Sequence, residues 1–151
     1  MMAVVLFSLT LFVSSCDDDD DSVPSNEVGF NDIALTGEAE VQPNPVITDG
    51  EGELDAVYNL DTRMITYNIT WELGNADDKT TGMHFHGPAS LTESASVVIP
   101  IQLTSDSYTG SVSGQTRALT QVEEDQLLNG LWYLNIHSTT YPAGELRGQL
   151  D

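Results

Sequence analysis

Cysteine is nearly absent from this 151-residue sequence: there is one, Cys16. No intrachain disulfide can form, so the fold has to stand on an apolar core, and no cysteine cluster can hold a metal. Positive charge is almost as scarce, with 4 Lys and Arg against 24 Asp and Glu and a formal net charge of −20. A phosphate backbone needs a basic footprint, so no nucleic acid partner is expected. An anionic membrane surface bound through charge is disfavoured for the same reason. Cationic partners and metal ions suit such a surface, and the charge also keeps an exported protein soluble. No internal repeat is long enough for a solenoid. The length is that of one ordinary domain.

What is present begins with a short apolar run, Ala3 to Phe7 followed by Leu9, Leu11, Phe12 and Val13. It is too short to span a bilayer comfortably and has the length of a signal-peptide core. Its end, Val13-Ser14-Ser15-Cys16, resembles the lipobox of bacterial lipoproteins. That resemblance implies cleavage before Cys16 and a lipid anchor on it. Two features depart from the usual pattern: no Lys or Arg precedes the core, and Val13 stands where Leu is commoner. Residues 1–15 are thus expected to be a lipoprotein signal peptide. Residues 16–29, opened by the run Asp17 to Asp21, are expected to be an acidic, extended, lipidated tether. An acidic run just after the cysteine resembles a surface-export signal. The expected address is therefore the bacterial outer membrane, lipid-anchored, facing either the surface or the periplasm.

From residue 30 to 151 the pattern is that of short strands. Leu54, Ala56, Tyr58 and Leu60 alternate, and so do Ile65, Tyr67, Ile69 and Trp71 after the Asp61-Thr62 turn, which predicts a hairpin. Met83-His84-Phe85-His86 ends at Gly87-Pro88, and Pro100 demotes the strand at Val97 to Leu103 toward an edge. Thr120-Gln121-Val122-Glu123 reads as a capping box for one short helix, about Gln121 to Asn129, with Leu119, Val122, Leu127 and Leu128 as its core contacts. Leu131 to His137 and Glu145 to Leu150 form a closing pair of strands around Tyr141-Pro142-Ala143-Gly144. The expected fold is all-β, an antiparallel sandwich or barrel with one short helix.

One set of motifs runs through this region: Ala34-Leu35-Thr36-Gly37, Gly82 to Ala89, Leu134 to Thr139, and Pro142 to Leu150. Together they resemble the CHRD (chordin-type) domain over about residues 30–151. Asn135, Glu145, Arg147 and Gln149 carry the most specific part of the closing motif, with Ser138 and Ala143 as small departures. The resemblance implies an immunoglobulin-like or Cu/Zn superoxide dismutase-like β-sandwich, and a binding or structural module without catalysis. A protein partner at the cell surface would fit that role.

Strand parity gives the histidines their interest. Alternate residues share a face, so if Met83 and Phe85 face the core, His84 and His86 face outward. If Trp132, Leu134 and Ile136 face the core, Asn135 and His137 face outward too. On neighbouring strands the three imidazoles would converge, enough for a copper or zinc site completed by a carboxylate or water. Resemblance to the dismutases points to the same positions. Against a dismutase-like enzyme, ten residues separate His86 from Val97, no further histidine exists, and negative charge repels superoxide. The alternative is structural: imidazoles hydrogen-bonded to backbone or to Asn135 under a loop. Arg147 is expected to pair with Glu145 or another acid, and Trp71 and Trp132, both in core parity, argue against a carbohydrate-binding patch.

Overall fold

The computed structural model describes residues 26–151. The segment expected to be a signal peptide, Cys16 and the acidic run lie outside the described residues. Apolar alternation and turn residues build eight strands and one helix: β1 (Glu27–Thr36), β2 (Glu51–Asn59), β3 (Met64–Glu72), β4 (Thr80–His86), β5 (Val97–Pro100), β6 (Thr109–Gln115), α1 (Gln121–Leu128), β7 (Trp132–Ser138) and β8 (Leu146–Leu150). The first strand begins at Glu27, inside the stretch read from sequence as tether.

All pairings are antiparallel, in the order β5-β4-β7-β8-β1-β2-β3-β6. This single sheet curls over on itself as a half-barrel, so the fold is the expected all-β class. The β2–β3 hairpin is in full register from Glu51↔Glu72 to Asn59↔Met64. The two halves meet at a narrow joint between β1 and β8, where the register is the single pair Thr36↔Arg147. They face each other across an apolar core, with Tyr67 of β3 edge-on to Phe85 of β4 at 5.7 Å. The open side is tied at Thr80, whose Oγ1 accepts from Trp71 Nε1 at 2.8 Å and donates to Ser107 O, just before β6, at 2.7 Å.

Core parity is as the alternation requires, except that Leu60, one residue past the end of β2, is 39% exposed. Met83, Phe85, Trp132, Leu134 and Ile136 are fully buried, as are Leu54, Tyr58, Ile65 and Ile69. Trp71 and Trp132 both lie in the core. β5, with Pro100, is an edge strand, where a missing amide donor does no harm.

The capping box forms: Thr120 Oγ1 accepts from Glu123 N, and Glu123 Oε2 accepts from Thr120 N at 2.8 Å. Gly130, at φ 69°, ends the helix in the left-handed region. Two of its four expected core contacts are wrong. Leu119 and Leu127 are buried, but Val122 is 64% and Leu128 43% exposed. A helix of eight residues laid on a sheet end buries a single row, and Leu127 fills it.

Candidate metal centre

The outward face of β4, β7 and β8 is not bare. The β1–β2 connection and the segment from Gly87 to Ser96 fold over it, so polar side chains on this face become buried. β4 brings His84 and His86 two residues apart, and β7 brings His137. The register sets His84 opposite Asn135 and His137 opposite Gly82. Gly82 leaves room for the rings: a Cβ there would stand 3.0 Å from His84 Cε1 and 3.6 Å from His137 Cδ2.

The three histidines offer ligand atoms that all lie within 4.8 Å of one another. His84 Nδ1 and His137 Nε2 are 3.1 Å apart. Donors on a tetrahedral zinc with bonds near 2.0–2.1 Å are about 3.3 Å apart, so this pair already has the spacing of two ligands. Two further ring nitrogens are held by backbone. His86 Nδ1 donates to Ala95 O at 3.0 Å, and His137 Nδ1 donates to Pro142 O at 3.0 Å. Those bonds fix the tautomer and leave each Nε2 as a lone pair. His86 Nε2 is buried and has no hydrogen-bond partner.

All three imidazoles are held neutral. His84 is pulled down to about 4, by burial first and then by the nearness of His137 and His86. Burial also lowers His86 and His137. A neutral imidazole is the form that binds metal.

Around the three histidines is a shell that the motif residues build. Tyr133 stacks on His86 at 4.8 Å with the rings 6° from parallel. Its hydroxyl accepts from Ala95 N at 3.2 Å, the residue whose carbonyl orients His86. The Arg147 guanidinium lies 3.7 Å from the Tyr133 ring centre. Asn135 Nδ2 donates to Glu40, and Gln42 Nε2 donates to Gly144 O at 2.6 Å, which ties the β1–β2 connection down beside the site.

Arg147 does not pair with Glu145. Its Nη1 donates to Glu93 O at 2.8 Å, and its Nη2 donates to Ser90 O at 3.0 Å and Gln149 Oε1 at 2.9 Å. Gln149 in turn donates to Ala89 O and Gly130 O. Arg147 and Gln149 are therefore clamps for the segment after β4. Glu145 points the other way along the sheet, to Thr48 and Gly74. Asn135 serves Glu40 and not a histidine. Sequence reasoning passed over Tyr133, although core parity at Trp132 already turns it outward. Glu40 and Ala95 lie in connections with no periodic signal.

The family model described as CHRD domain matches residues 32–150. No curated protein and no solved structure matches.

Proposed function

We propose that this chain, which belongs to the CHRD domain family, is a small β module of the binding or structural kind that holds copper or zinc on the outer face of its sheet. His84, His86 and His137 would be the ligands, and the fourth position would fall to water or an incoming group. The observation that carries this reading is the buried, orphaned Nε2 of His86, on a residue that offers a ligand atom within 4.8 Å of one from each of two further histidines. A structural histidine normally spends both nitrogens on partners. A lipid anchor on Cys16 would hold the module at the outer membrane, and a surface protein partner would meet it there.

A purely structural role for the histidines has its own support, since the bonds to Ala95 O and Pro142 O would brace the connections without any metal. Titration of purified metal-free protein with Zn(II), Cu(II) and Cu(I) separates the two readings. With metal, binding is stoichiometric and sub-micromolar, and it is lost in both His84→Ala and His137→Ala. If the wild type binds nothing and the variants are merely less stable, the histidines are braces.

A further inference from the structure

We propose that a second cation site, independent of the histidines, lies at the end of the sheet where the β1–β2, β3–β4 and β7–β8 connections meet, and that it takes Ca²⁺. A cavity of about 190 Å³ there is lined by Asp78 and Glu145 together with Thr48, Asp49, Asn75 and Tyr141. Asp78 is 8% exposed and Glu145 1%.

Each carboxylate is anchored through one oxygen only. Asp78 Oδ1 accepts from Thr139 Oγ1 at 2.5 Å and Thr140 Oγ1 at 2.9 Å. Glu145 Oε1 accepts from Thr48 Oγ1 at 2.7 Å and Gly74 N at 2.8 Å. The other oxygens, Asp78 Oδ2 and Glu145 Oε2, are buried without a partner. Both residues line this cavity, and a buried carboxylate oxygen without a partner is costly unless something positive reaches it. No side chain does so: Lys79, next in sequence to Asp78, is turned to Asp106 at 2.5 Å, and Arg147 is spent on carbonyls. The Thr139 hydroxyl and its neighbours hold Asp78 below the usual carboxylate range, so it carries charge.

The chemistry of the lining selects the ion. Its lining side chains offer carboxylates, hydroxyls and an amide, with no histidine or sulfur ligand, which favours a hard cation. Three irregular connections cannot impose a strict octahedron, which favours Ca²⁺ over Mg²⁺. Gly50 and Gly74 let those connections close: a Cβ on Gly50 would stand 2.7 Å from Gly74 N and 2.9 Å from Glu145 Oε1.

Purified protein stripped of metal is titrated with CaCl₂ at constant ionic strength by calorimetry and thermal unfolding, and with Tb³⁺ by luminescence sensitised through Tyr141. The expected result is one Ca²⁺ per chain with a Kd on the order of 10⁻⁴–10⁻³ M, as in extracellular modules. The melting temperature should climb with Ca²⁺, and Mg²⁺ should bind more weakly. Affinity should fall at least tenfold in Asp78→Asn and Glu145→Gln, whereas His84→Ala should bind Ca²⁺ unchanged. If the carboxylate variants do not fold, Asp49→Asn, at an exposed lining position, takes their place, and its Ca²⁺ affinity should fall. No saturable Ca²⁺ binding in the wild type, binding unchanged in both carboxylate variants, or, where those do not fold, binding unchanged in Asp49→Asn would each overturn the site.

Discussion

Two side chains on the outer face, His84 and Glu40, are displaced in opposite directions by the same cause. Burial pulls His84 down to about 4 and pushes Glu40 up to about 7, the second against the attraction of Arg147. Their effects on stability oppose each other. As pH falls from about 6.5 to about 4, the unfolded chain takes up a proton that folded His84 refuses, so stability is lost. As pH falls from about 7 to about 4.5, folded Glu40 takes up a proton that the unfolded chain still releases, so stability is regained. In Glu40→Gln the second contribution is gone. Metal-free Glu40→Gln should be more stable than the wild type above about pH 7 and should lose that advantage steadily toward pH 4.5. Urea unfolding at a series of pH values measures this. A constant offset between the two curves would mean that the Glu40 carboxyl is not displaced.

At the scale of elements, the molecule depends on its narrowest joint. β8 meets β1 through one register pair, and Gly148 makes the approach possible. A Cβ there would stand 2.7 Å from Leu35 Cδ2 and 2.8 Å from Ala34 O. Backbone cannot yield as a side-chain tip can, so Gly148→Ala should cost about 1–3 kcal/mol by overpacking. Gly29→Ala is the control, because its Cβ would meet only the mobile amide of Asn31 at 2.9 Å, and it should be near neutral. Equal losses in the two variants, measured by chemical denaturation, would remove the joint from this role. These elements also show what was legible in the sequence. The β2–β3 hairpin and the outward turn of His84, His86 and His137 follow from period-two alternation, which is local. The helix start follows from Thr120 and Glu123, also local. The helix face did not: with eight residues on a curled sheet, packing decides which apolar side chains are covered, and Val122 and Leu128 are left out. The partners of Arg147 and Glu145 were beyond reach for a related reason. Ser90, Glu93 and Thr48 lie 57, 54 and 97 residues away in connections without periodicity. Closing the chain alone brings them together.

At the scale of the whole molecule, charge bears on the lipid anchor proposed for Cys16. The net charge is −20. Of its four basic residues, Lys79 pairs with Asp106, Arg117 pairs with Glu123, and Arg147 is buried, which leaves Arg63 exposed. Such a surface is repelled by anionic lipid, and no described helix is long and apolar enough to cross a bilayer. Association through charge is thereby disfavoured, and the proposed lipid on Cys16 would be the other route. The two routes respond oppositely to salt. Electrostatic adsorption is released by high ionic strength, whereas an acyl anchor is indifferent to it and yields only to detergent. In a bacterial host, wild-type protein should therefore stay in the membrane fraction through a 1 M-scale salt wash, in which the Debye length is about 3 Å, and should be freed by detergent. Cys16→Ser should leave the membrane fraction. Protease added to intact cells then tells the two faces apart, since only a surface-facing domain would be cut. A Cys16→Ser protein that stays with the membrane, or a wild type washed off by salt, would remove the lipid anchor.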